Sequence, residues 1–180
     1  ATVLILQGCG GGGGTSSPAP EPPAPPSDTT PPVITLLGEA EVNHEQGTEY
    51  TDPGATASDD VDGDIDVAVS GSVDEAVAAT YSITYRASDS AGNSASATRT
   101  VTVQDTISPV VTLVGDASVT IDEGSVFSDP GATATDSVDG VLDVVVTGEV
   151  RSEVGVYTLT YSATDAGGNT ASVDRSITVV

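Results

Sequence analysis

The chain contains no lysine: its four basic residues are all arginine, and they face 27 acidic residues for a formal charge of -23. A surface so uniformly negative is repelled by nucleic-acid phosphates and by anionic membrane surfaces, so nucleic acid is no partner and charge alone does not hold the chain to a membrane; the partners it attracts are cations. With no lysine there is also no intramolecular Lys–Asn crosslink of the kind that staples some surface pilins. Cys9 is the only cysteine, so no disulfide can form within the chain. Aromatic residues make up 3% of the sequence, with no Trp and one Phe, so the core must be built from Val, Ile, Leu, Ala and a few Tyr. Nothing here suggests the deep aromatic-lined cleft that sugar chemistry needs. With a single His, no Lys and Cys9 far from the other candidate groups, no nucleophile, base and orienter can be assembled, and the reading is that the chain is not an enzyme.

What is present is a repeat. The acidic stretch Asp52 to Asp66, DPGATASDDVDGDID, returns as Asp129 to Asp143, DPGATATDSVDGVLD. Sliding one copy onto the other pairs Pro32 with Pro109, Gly38 with Gly115 and Gly47 with Gly124. After a one-residue gap it also pairs Tyr81, Tyr85, Asp89, Asn93 and Arg99 with Tyr157, Tyr161, Asp165, Asn169 and Arg175. Two tandem domains follow, residues 32–105 and 106–180. Small domains without disulfides bury only about 60% of their unfolded surface and are marginal alone, which makes a bound metal the most plausible remaining staple.

Before the repeats stand two segments of different composition. Residues 1–9, ATVLILQGC, carry Leu6-Gln7-Gly8-Cys9, which resembles the lipobox of bacterial lipoproteins, although Gln7 stands where a small residue is usual. The resemblance implies the C-terminal part of a signal peptide, lipidation of Cys9 and a membrane partner through that anchor. The apolar run itself is too short to span a bilayer. Two other readings stay open: an ordinary strand with an idle thiol, or residues 1–7 as a donor strand for a neighbouring subunit of an extracellular filament. Residues 10–31 are rich in Gly, then Ser and Pro, and read as a flexible start followed by a polyproline-like spacer.

Within the repeats the apolar period is two. Ile65, Val67 and Val69 alternate with polar or small residues as one strand. Tyr81, Ile83, Tyr85 and Ala87 do the same, as do Ala95, Ala97, Val101 and Val103, and domain 2 repeats each step, with Leu142, Val144 and Val146 for the first of them. No window carries a helical period. The expectation is all-β: two tandem immunoglobulin-like β-sandwich domains of about seven short strands each, after a disordered linker. The segments PVITLLG, YTDPGATASDDVDGD and TYSITYRASDSAGNSASATRTVTV resemble bacterial surface immunoglobulin-like repeats, as found in multidomain lipoproteins and in the Ig-like domain of some pesticidal crystal proteins. That resemblance implies spacer or adhesion modules without a catalytic site.

Five carboxylates, Asp59, Asp60, Asp62, Asp64 and Asp66, fall within eight residues around Gly63, and Ca2+ takes six to eight oxygens from such loops. The spacing is not that of an EF-hand. Domain 2 keeps Asp136, Asp139 and Asp143 but has Ser137 and Val141 in place of Asp60 and Asp64, so its loop is poorer in charge. In an immunoglobulin-like sandwich the B–C loop, the F–G loop and the entry to the first strand share one end. That brings Asp28 and Asp89 to the acidic loop of domain 1, and Asp105 and Asp165 to that of domain 2, with Glu45 a further contributor at the junction. The alternative is a solvated acidic loop with no metal.

Other repeated residues read as structural. Asn93 and Asn169 follow glycine in hairpin turns, and Asp52-Pro53-Gly54 and Asp129-Pro130-Gly131 form turns or bulges. Arg99 and Arg175 fall on the inward parity of their strands, so each must pair with a carboxylate of its own domain. His44 has Ile121 as its counterpart and reads as a strand-edge side chain. The sequence thus describes a non-catalytic segment of a bacterial cell-envelope lipoprotein, surface-exposed or extracellular: a semi-rigid spacer stiffened by Ca2+, with further repeats or domains expected in the same chain. The other readings are an adhesin that binds a surface protein or glycan, and the filament subunit.

Overall fold

The computed structural model describes residues 26–180, which form strands, turns and loops with no helix among them. Domain 1 contains β1 (Val33–Leu36), β2 (Glu41–Glu45), β3 (Ala55–Asp59), β4 (Gly63–Ile65), β5 (Ala68–Ser70), β6 (Ala79–Ser88) and β7 (Ser94–Gln104). Domain 2 repeats the series as β8 (Val110–Leu113), β9 (Ser118–Ile121), β10 (Ala132–Asp136), β11 (Gly140–Leu142), β12 (Val145–Thr147), β13 (Gly155–Thr164) and β14 (Thr170–Val179). Each domain has a three-stranded sheet, β1-β3-β4 or β8-β10-β11, and a four-stranded one, β2-β7-β6-β5 or β9-β14-β13-β12. The opening strand divides between the two: β1 runs antiparallel to β3, whereas β2 crosses over to run parallel to β7. Gly38 makes that crossover possible, since its φ is +83° and a Cβ there would lie 3.3 Å from the Pro53 ring.

The long hairpins carry the core. Along β6 and β7 the alternation turns Ile83, Tyr85, Val101 and Val103 inward, and Ile34, Leu36, Val42 and Val67 close over them from both sheets. Domain 2 builds its core from Leu159, Tyr161 and Ile177 with Phe127, Val144 and Val173 against them. Such an aliphatic core needs no aromatic surplus, because the two sheets supply inward β-branched residues from both sides.

Two expectations are corrected. The alternating run Ile65 to Ser70 is not one strand: β4 pairs with β3, β5 pairs with β6, and Asp66–Val67 crosses between the sheets. The step at Asp143–Val144 does the same in domain 2. Period two cannot reveal such a corner, since a strand that changes sheets keeps presenting the same parity to the shared core. In addition, the acidic loop does not cross between the sheets as a B–C loop would. It closes the β3–β4 hairpin, Asp59 opposite Gly63, and in domain 2 the β10–β11 hairpin, Asp136 opposite Gly140. Gly63 and Gly140 have φ of +75° and +73°, the left-handed position that ends a three-residue hairpin loop.

Candidate functional site

Each acidic hairpin is shaped by its first aspartate. Oδ1 of Asp59 accepts the Val61 and Asp62 N–H groups at 2.9 and 3.1 Å, and Oδ1 of Asp136 accepts those of Val138 and Asp139 at 2.7 and 3.1 Å. The last aspartate of the hairpin loop reaches across to the turn that joins the two longest strands. Asp62 accepts the Ser90 N–H and hydroxyl, both at 2.8 Å, and Asp139 accepts the Ala166 N–H at 2.7 Å. That turn is itself closed by its own aspartate. Asp89 accepts the Asn93 N–H at 2.7 Å and its Nδ2 at 2.8 Å, and Asp165 does the same with Asn169 at 2.7 and 3.0 Å. The asparagines spend their remaining donor on the residue entering the domain, at 3.4 Å from Asn93 to the Asp28 carbonyl and 3.1 Å from Asn169 to that of Asp105.

These bonds bring three segments together at one end of each domain. Carboxylate oxygens of Asp105, Asp136 and Asp165 all lie within 4.8 Å of one another, as do those of Asp28, Asp59 and Asp60. The domain 2 group is the deeper, with its aspartates only 8, 9 and 6% exposed. The entry aspartates repeat the same division of labour as the hairpin ones. Oδ1 of Asp28 takes the Thr30 N–H and Oδ1 of Asp105 takes the Ile107 N–H, while the Oδ2 atoms of Asp28, Asp59, Asp105 and Asp136 are buried with no partner. Burial holds the Asp105 carboxyl above its usual range, and the charges of Asp136 and Asp165 push the same way. The Val138 and Asp139 N–H groups instead hold Asp136 below it.

Other sequence candidates sit elsewhere. Asp64, Asp66 and Asp143 are exposed and outside both groups, and Asp62 and Asp139 act as braces between loops. Asp89, unlike its counterpart Asp165, does not join its domain's group, and the exposed Asp60 takes that place. His44 is half-buried, with Nε2 2.9 Å from the Thr48 carbonyl and its ring edge-on to Tyr50. Cys9 and residues 1–7 lie outside the described residues.

The junction has a further carboxylate, from domain 1. Glu45, at the end of β2, accepts the Thr106 N–H at 3.0 Å and the Thr106 hydroxyl, and its side chain lies beside the Asp105 carboxyl. The Thr106 hydrogen bonds hold Glu45 below the usual carboxylate range. Opposite, the bare Cα of Gly167 lets the β13–β14 turn close on the linker, since a Cβ there would be 3.0 Å from the Asp105 carbonyl.

The Asp-Pro-Gly motif does more than turn the chain. Arg99 is completely buried, donating from Nε to the Glu39 carbonyl at 2.9 Å, from Nη1 to Asp52 and to the Tyr85 hydroxyl at 2.6 Å, and from Nη2 to the Leu37 and Gly54 carbonyls. Arg175 repeats this with Asp116, Asp129, Tyr161, Val114 and Gly131. Each guanidinium carbon also sits over its tyrosine ring, at 5.5 Å for Arg99 and 5.2 Å for Arg175. Burial works to raise Asp52 and Asp129, but the tyrosine hydroxyl, a backbone N–H and the arginine together hold both below their ordinary range. Burial, then the neighbouring carboxylate, pushes Tyr85 and Tyr161 up to about 12. The sequence signal for this clasp is the joint repetition of Asp-Pro-Gly, Tyr and Arg.

Two-sheet domains with these hairpins, each locked by a buried arginine, are immunoglobulin-like sandwiches. The family model for the Ig-like domain of bacterial surface proteins matches residues 34–103 and again 111–179, and the chain belongs to that family. Among solved structures it is similar to a lipoprotein of Bacteroides thetaiotaomicron, at 19% identity over 79% of this chain and 98% of that one, with a TM-score of 0.38. It is also similar to a structure of the M60 catalytic domain with two CBM51 domains of ZmpB from Clostridium perfringens. There the identity is 12%, over 82% of this chain and 30% of that one, with a TM-score of 0.43. Likeness at that level says nothing about what this chain does. No curated protein matches it.

Proposed function

We propose that this chain is a non-catalytic, semi-rigid spacer of a bacterial surface protein, anchored through lipidated Cys9 and stiffened by Ca2+ where its domains meet. The observation that carries the reading is the linker Asp105 to Pro109, which is tied to both neighbours. On the domain 1 side Gln46 donates to the Gln104 carbonyl at 3.0 Å and Glu45 takes two hydrogen bonds from Thr106. On the domain 2 side Asn169 holds the Asp105 carbonyl, and Pro109 is buried. Tethers of Gly and Ser leave domains free to swing, whereas a short linker bonded at both ends transmits orientation.

Small-angle scattering of the full chain tests this. Glu45→Ala should broaden the distribution of distances between the domains while leaving both folded by circular dichroism, and an unchanged distribution overturns the spacer. The anchor is tested separately. Expressed behind a full lipoprotein signal, the protein should partition into detergent and carry acyl chains on its N-terminal peptide. Cys9→Ser should lose both. Recovery of an unmodified chain that still begins at Ala1, from cells that lipidate other proteins, would count instead for the filament reading.

A further inference from the structure

We propose that each domain entrance is a calcium-class cation site, formed by Asp105, Asp136 and Asp165 at the junction and by Asp28, Asp59 and Asp60 at the start of domain 1. This deepens the spacer reading by assigning the ligands of the stiffening ion, but binding at these residues stands or falls by itself.

Clustered acids alone would not carry the proposal, since exposed carboxylates are readily hydrated. The unpartnered oxygens do. Asp105 and Asp136 are more than nine-tenths buried, and each uses Oδ1 on its own backbone while keeping a buried Oδ2 with no hydrogen-bond donor. Asp28 and Asp59 show the same split, so the chain has built this arrangement twice. A buried anionic oxygen without a donor is costly, and in each group two such carboxylates lie against a third, so a cation among them would balance the charge.

The dimensions choose the ion. Oxygens bound to Ca2+ at about 2.3–2.6 Å can be at most about 5 Å apart across the metal. The three carboxylates of each group meet that limit, lying within 4.8 Å of one another. All the donors are oxygen, with neither imidazole nor thiolate in either group, which selects hard ions over zinc or copper. Ligands drawn at the junction from a linker, a hairpin and a separate turn, and at domain 1 from an entry segment and a hairpin, form a yielding cage, which suits the variable coordination of Ca2+ better than the strict octahedron of Mg2+. At the junction the ion would hold the linker through Asp105, with Glu45 of domain 1 directly beside it. The better-buried junction site should fill first.

Equilibrium dialysis of the full chain against Ca2+ in excess NaCl tests the assignment, with calorimetry to rank the sites. Two ions per chain are expected. Asp136→Asn should remove one of them or weaken it at least tenfold, Asp59→Asn should do so for the other, and Asp143→Asn should change neither. Asparagine retains an Oδ1 acceptor for the hairpin while replacing the free oxygen, so folding should survive, as circular dichroism would show. Failure to take up Ca2+ above the sodium background, or retention of both ions by Asp136→Asn, overturns the site. Scattering separates this from the spacer reading. A metal-free chain that is stiff and binds no Ca2+ keeps the spacer and loses the site, whereas two bound ions that leave the scattering unchanged keep the site and lose the stiffening.

Discussion

The upper ends of the two domains were copied from one pattern and have diverged. Domain 1 has five aspartates around Gly63, yet its converging group is half open, with Asp28 and Asp59 partly buried and Asp60 exposed. Domain 2 has lost two of those charges, and its group is buried, because Asp165 replaces the exposed aspartate and Asp105 arrives on a linker held from both sides. The number of carboxylates in a loop therefore does not rank a site. Each group keeps two buried oxygens without a donor, so what separates them is depth, and by that measure the loop poorer in charge belongs to the more buried group.

The largest expected effect treats the domains alike and checks that they differ only at their ends. Arg99→Leu and Arg175→Leu each leave a carboxylate, a tyrosine hydroxyl and several carbonyls without their donor. Each should cost its own domain about 3–5 kcal/mol, enough to unfold a domain of this size near body temperature. Calorimetry should show the other domain's transition in place. A shift of both together would mean the domains unfold as one unit.

Calcium should then separate them. An ion bound only to the folded state stabilises by about 2.7 kcal/mol at a hundredfold excess over Kd, or about ten degrees or more in melting temperature for a small domain. As the ion is titrated, the transition of domain 2 should rise before that of domain 1. Sodium at matched ionic strength controls for screening of the -23 charge. Equal responses at every concentration would contradict the ranking by burial.

The clasps also fix a pH profile common to both domains. Asp52 and Asp129 are depressed, so their stabilisation is complete above the ordinary carboxylate pKa and disappears as pH falls below it. Tyr85 and Tyr161 are raised to about 12, so theirs is complete below about pH 10 and disappears as pH climbs toward 12. Urea midpoints should be flat from about pH 5 to 9 and fall on both sides. Tyr85→Phe should remove much of the alkaline fall for domain 1 alone.

The smallest effect sharpens the junction itself. Gly167→Ala puts a Cβ 3.0 Å from the Asp105 carbonyl and from Asn169 Nδ2, and displacing the linker should cost about 1 kcal/mol and weaken Ca2+ at that site several-fold. Ala91 already occupies the matching place in domain 1, so Ala91→Gly should leave the domain 1 site unaltered.

The candidate site was half legible in the sequence. Repetition pointed to Asp28, Asp59, Asp105, Asp136 and Asp165, because residues kept in both copies stand out whatever their neighbours do. The same logic also named Asp64, Asp66 and Asp143, which fall on exposed positions past the hairpin turn and outside both converging groups. It also named Asp62 and Asp139 as ligand candidates, and in the structure one oxygen of each accepts a backbone N–H of the next turn. Asp60 was visible as one more charge, and nothing in its spacing distinguished it from the rest of its loop.

The sequence by itself determined the tandem repeat, its all-β character, the inward parity of Tyr85, Arg99 and their counterparts, and the net negative charge. Repetition, period-two alternation and net charge are local or additive properties that need no partner across the fold. Tertiary structure decided which sheet each half of Ile65 to Ser70 joins, that Asp52 and Asp129 clasp arginines 46 or 47 positions away, and which carboxylate oxygens are left bare. A hydrogen bond to an acceptor is a contact between distant segments. Whether an aspartate is satisfied or waiting for an ion is therefore settled only when the loops that could serve it have closed.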